Sequence, residues 1–82
     1  MITGQQIKAA RELLGWAPSR LAQRAKLHSA IVQRAESVPG VPPTTAYQEA
    51  LIRHALQDAG IEFTNDAEKG VKLKAAKAQN AT

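Results

Sequence analysis

The sequence contains no cysteine, which excludes disulfides and thiolate metal sites and fits a reducing compartment. Histidine is scarce. His28 and His54 lie far apart, and with only seven acids the pattern offers no metal cluster and no catalytic triad. There is no glycine-rich phosphate loop and no internal repeat. No apolar run approaches the roughly 20 residues needed to span a bilayer, and the chain turns polar within three residues of Met1, so no signal peptide is expected. A cytoplasmic location follows as the expectation. With 82 residues, one domain with a small core is expected, too small for a deep catalytic cavity. The chain is read as a non-enzyme, without metal or cofactor.

Acids are missing where bases gather. The net charge is +4 and the pI about 9.9, a basic excess compatible with a polyanionic partner. Arg20, Arg24, Lys26 and Arg34 lie between Pro18 and Ala35 with no acid among them, and Glu36 closes the stretch. Residues 61–82 instead mix four lysines with three acids.

Apolar spacing and cap residues predict the elements. Thr3 with Gln6 has capping-box spacing, and Ile2 with Ile7 forms a hydrophobic staple. Ile7, Ala10 and Leu14, with Leu13 alongside, continue one stripe until Gly15, giving a first helix over about 4–14. Pro18 suits a first helical position, so a second helix is expected over 18–25, with Ala17 as its cap. Trp16 is staple-spaced with Leu21 and expected in the core. Leu21, Ala22 and Ala25 supply the inward face.

A third helix is expected over 29–36, capped by His28, with Leu27 and Val32 as another staple. Val32 and Ala35 face inward; Ser29, Ala30, Gln33 and Arg34 face outward. That outer face is small and hydrogen-bonding rather than heavily charged, unlike an ordinary solvated helix. The turn between the second and third helices is only about three residues, the layout of a helix-turn-helix.

Prolines at 39, 42 and 43 with Gly40 make residues 37–43 a loop. Thr44 or Thr45 caps a fourth helix, Thr45 having capping-box spacing to Gln48. Its buried stripe is expected to be Tyr47, Leu51, Ile52, Ala55, Leu56 and Ala59, and Gly60 ends it. His54 is isolated and expected in a packing or surface role. The period then changes. Ile61 and Phe63, then Val71 and Leu73, alternate with polar residues, as in two short strands joined by a turn at 65–70. Residues 75–82 carry no large apolar side chain and are expected to be disordered.

The stretch LLGWAPSRLAQRAKLHSAIVQRAE (residues 13–36) resembles the helix-turn-helix of XRE-type regulators, the Cro and lambda-repressor-like group, in its spacing and in LGW, LA and QRAE. The tail LIRHALQDAGIEFTNDAEKGVKLK is similar to that of small bacterial members of the group. The resemblance implies a mainly α fold: a lambda-repressor-like domain of about four helices over residues 1–60, then a short C-terminal β-hairpin over 61–74. It also implies that residues 29–36 form a recognition helix lying in the DNA major groove. Ser29, Ala30, Gln33 and Arg34 would then read bases. Arg34 has the donors for guanine O6 and N7, Gln33 the donor and acceptor for adenine. Ser19, Arg20, Arg24, Lys26 and His28 would contact phosphates, setting register without reading sequence.

The chain departs from the group where it holds Ala17 and Pro18 in place of the usual Ser or Thr followed by Gln. Lys26 stands where glycine is common. These departures keep open a second reading, an antitoxin or adaptor that uses the scaffold to hold a protein. A lone two-stranded hairpin is marginal in water, so Ile61, Phe63, Val71 and Leu73 are expected to pack on the fourth helix and on the same elements of a second chain. The expected function is a homodimeric, sequence-specific transcriptional regulator, a repressor being the simplest form, on a roughly palindromic operator in double-stranded DNA.

Overall fold

The computed structural model describes residues 2–64 and 70–73. Within them the chain is mainly helical and ends in a small antiparallel hairpin. Four helices, α1 (Gly4–Leu13), α2 (Pro18–Ala25), α3 (Ser29–Glu36) and α4 (Ala46–Asp58), precede strands β1 (Ile61–Phe63) and β2 (Val71–Leu73). The strands pair in the register Ile61 with Leu73, Glu62 with Lys72 and Phe63 with Val71. Residues 65–69 of the turn expected at 65–70, and the tail 75–82, lie outside the described residues. Among the described residues no helix is long and apolar enough to cross a membrane.

α1 and α4 begin alike. Thr3 Oγ1 accepts the Gln6 N–H at 3.1 Å, while Gln6 Oε1 accepts the Thr3 N–H at 2.9 Å. Thr45 and Gln48 repeat the exchange at 3.0 and 3.1 Å. Each box satisfies donors that a helix start leaves open. α2 and α3 have no side-chain cap at Ala17 or His28.

The turns are tight. Gly15 adopts φ +70° and the Trp16 N–H reaches back to Arg11 C=O at 3.0 Å, so the direction of the chain reverses without exposing the last carbonyls of α1. The α2–α3 turn has the same form with a side chain in it. Lys26 sits at φ +60°, ψ +44°, and the Leu27 N–H donates to Ala22 C=O at 2.9 Å. A non-glycine residue there costs about 1 kcal/mol.

The core is one cluster. Ile7 and Ala10 of α1, Leu21, Ala22 and Ala25 of α2, Val32 and Ala35 of α3, and Ile52, Ala55 and Leu56 of α4 meet Ile2 and Ile61. Trp16 and Leu27 pack against its edge. The stripe expected on α4 is corrected at one position: Tyr47 is 73% exposed. It lies five residues before Ile52, about 140° round a helix of 3.6 residues per turn, and Glu49 takes the inward place instead. Glu49 is 4% exposed, accepts the Ile2 N–H at 3.2 Å and pairs with Arg53 at 3.4 Å.

Two contacts tie distant segments to α1. Gly4 lies against the end of α3 and the loop after it. Its N–H donates to Gly40 C=O at 2.8 Å, and an added Cβ would collide with the carbonyl oxygens of Val38 and Ala35. Gln6, besides its cap, uses Nε2 to hold Thr64 C=O and Gly70 C=O, each at 3.1 Å. That side chain pins the mouth of the hairpin, where the Thr64 N–H also meets Gly70 C=O at 3.0 Å. The hairpin is therefore anchored within one chain.

Candidate nucleic-acid interface

The α2–turn–α3 unit gathers the residues singled out in the sequence. Inward-facing Leu21, Ala22, Ala25, Val32 and Ala35 fix α3 against α2. Ser29, Ala30, Gln33 and Arg34 all stand exposed on α3, and Ser19, Arg20, Arg24, Lys26 and His28 are exposed on α2 and the turn. Ile31 is half-buried, so less of it reaches the open face than of Ala30.

Charges on and beside this unit are of two kinds, one paired and the others, like exposed Lys8 and Lys72 elsewhere, without an ion pair among the described residues. Arg11 pairs with Glu36 through two near-parallel bonds, Nε to Oε2 at 2.9 Å and Nη2 to Oε1 at 2.9 Å. Its Nη1 donates to Trp16 C=O at 2.8 Å. One side chain thus joins α1, the α1–α2 turn and the last residue of α3. The hydrogen bond to Glu36 raises the Arg11 pKa above its ordinary value, with burial opposing it. A raised folded-state pKa gives a contribution present below the unfolded value and lost only as pH climbs through the folded one, so it persists at every ordinary pH. Arg20, Arg24, Lys26 and Arg34 form no ion pair among the described residues. Arg24 instead lies over the Trp16 ring, its Cζ 5.3 Å from the centroid.

The N-terminal amides of α2 and α3, left without side-chain caps, open on the same unit. Pro18 has no N–H, and Arg20 and Ile31 N–H groups already donate to Ala17 and His28 C=O at 3.0 Å each, so the remaining first-turn amides, with the exposed cations, are what suit an anion. Among the described residues no group of three or more His, Asp or Glu is placed to hold a metal.

The hairpin residues divide. Ile61, expected on the fourth helix and at a subunit contact, is 1% exposed and belongs to this chain's own core with Ile52, Ala55 and Leu56 of α4, which leaves none of it for a second chain. Phe63 and Val71 are half-buried against the core, and Leu73 is 39% exposed. The Arg11–Glu36 clamp, the Gln6 anchor and the Arg24–Trp16 stack were not visible in the sequence. Each joins residues too far apart for local spacing to reveal.

Comparison of the chain with protein-family models, curated proteins and solved structures finds no match.

Proposed function

We propose that this chain is a sequence-specific DNA-binding regulator, with α2 and α3 acting as a helix-turn-helix of the XRE type. One observation carries the reading: Arg20, Arg24 and Lys26, free of ion pairs among the described residues, and uncapped helix starts accompany an outward helix face of Ser29, Ala30, Gln33 and Arg34. A polyanion supplies what that surface lacks. A major groove about 12 Å wide admits one helix, and α3 turns its small polar face away from its own core.

In this reading Arg34 and Gln33 meet base edges, while Arg20, Arg24 and Lys26 meet phosphates on either side. Arg34→Ala weakens the complex with the cognate duplex about tenfold or more, and the complex with random duplex far less, by competition gel shift. Equal losses on both duplexes remove Arg34 as a base-reader. With no effector domain in the described residues, occupying a promoter is the simplest mode of action.

Two copies related by a two-fold axis would set two α3 helices about 34 Å apart, one turn of DNA, and call for a near-palindromic site. Phe63, Val71 and Leu73, rather than Ile61, are the hairpin residues left for that contact. Light scattering after size exclusion gives a dimer mass at micromolar concentration; a strict monomer removes this part.

A second reading keeps the exposed Tyr47 and Val41, at 73% and 65%, for a protein partner, as in an antitoxin or adaptor. A co-purifying protein and no shift of the DNA upstream of its own gene would favour it.

A further inference from the structure

Among the described residues, Arg24 is the cation of this unit that lies over an aromatic ring. Its guanidinium carbon sits 5.3 Å from the centroid of Trp16, the one tryptophan of the chain. Trp16 is half-buried against the core, and both its backbone groups are held by Arg11: the N–H by Arg11 C=O at 3.0 Å, the C=O by Arg11 Nη1 at 2.8 Å. Arg11 in turn grips Glu36 at the end of α3. The backbone that carries the ring is therefore held by the same clamp that holds α3, and the side chain packs against the core.

Local charge gives Arg24 a reason to move away. Arg20 lies one turn before it on α2, no acid stands between Pro18 and Ala35 in the sequence, and neither arginine has an ion pair among the described residues; like charges four residues apart repel. A free arginine there would sample many rotamers. A guanidinium stacked on an indole uses its flat face for the ring and leaves edge N–H donors open to solvent.

We propose that Trp16 is a positioning residue for nucleic-acid binding: it holds Arg24 with its donor edge outward, ready for a backbone phosphate flanking the groove that α3 enters. This rests on the DNA-binding reading above. The contact is to phosphate, so it strengthens cognate and random duplexes alike. It also needs the planar, stackable cation and not merely positive charge.

The test measures affinity for a random-sequence duplex of about two helical turns by fluorescence anisotropy, with thermal midpoints recorded for every variant. Trp16→Leu weakens binding about two- to fivefold when Arg24 is present and leaves it unchanged in the Arg24→Ala background, the range expected of an exposed cation–π contact. Trp16→Phe, which keeps an aromatic face, restores most of the loss. Arg24→Lys behaves like Arg24→Ala rather than like the wild type. If Trp16→Leu does not fold, Trp16→Met takes its place in the same two backgrounds; Arg24 is exposed, so its replacement leaves the core intact. Additive losses at Trp16 and Arg24, or wild-type affinity in Arg24→Lys, overturn the positioning role while leaving DNA binding standing. A wild-type chain that binds no duplex at low salt overturns both.

Discussion

α1 and α4 are finished helices, whereas α2 and α3 are not. The first pair start in threonine capping boxes, and their buried charges are matched, Arg11 by Glu36 and Glu49 by Arg53 and the Ile2 N–H. The second pair start at Ala17 and His28 without a side-chain cap, are joined through a left-handed lysine, and carry Arg20, Arg24 and Arg34 with no ion pair among the described residues, their one acid, Glu36, being taken by Arg11. Both pairs contribute side chains to the same core, so the contrast is not one of well-folded against poorly folded parts. Stabilising devices gather where the chain supports itself. At the starts of α2 and α3 side-chain caps are missing, and exposed cations without ion pairs among the described residues stand there instead.

The largest effect should come from the scaffold. Gly4→Ala drives a methyl group into the Val38 and Ala35 carbonyls, and neither is a side chain that can swing aside. A loss of about 3 kcal/mol is expected in denaturant unfolding, the upper range for overpacking. An unchanged midpoint would mean that α1 and α3 are not packed so closely.

Arg11→Ala comes next. It strands Glu36, whose side chain is 10% exposed, and frees Trp16 C=O. About 2 kcal/mol should be lost, in the range for hydrogen bonds to charged groups, and DNA affinity should fall with it because α3 loses its tether. If stability drops and affinity holds, the clamp serves the fold alone.

The smallest changes probe the contrast directly. Thr45→Ala removes a working cap and costs about 1 kcal/mol. Ala17→Asp adds a cap where none exists and should stabilise by up to about 1 kcal/mol. It should also weaken DNA binding several-fold, because it sets a carboxylate beside the amides meant for phosphate. Greater stability with undiminished binding would remove the start of α2 from the interface.

Much of this layout was legible in the sequence because it rests on local rules. Thr3 with Gln6, Thr45 with Gln48, Pro18, Gly15 and the change of period at Ile61 each act within a turn or two, and the helices and strands lie where those signals put them. Burial on α4 was less legible. A large aromatic at 47 suggested the core, yet the helical phase gives the inward place to Glu49, whose partner, the Ile2 N–H, is 47 residues away. Ile61 was expected to pack on both the fourth helix and a second chain, and it is wholly taken up by this chain's own core. The anchor that supports the hairpin, Gln6, already had a local role in a cap, and nothing in its spacing disclosed the second. The exposed faces of α2 and α3 followed from periodicity, whereas the stack of Arg24 on Trp16 needed coordinates.

The central claim is that the cations of α2, the turn and α3 are unpaired because DNA phosphates pair with them. Affinity for duplex DNA measured across a series of salt concentrations, for the wild type and for the Arg20→Ala, Arg24→Ala, Lys26→Ala triple variant, tests it most directly. The account predicts wild-type binding that weakens steeply as salt rises, and a slope shallower by roughly 0.9 for each phosphate contact the variant has lost. Equal slopes in the two proteins, or no wild-type complex even at low salt, would contradict it.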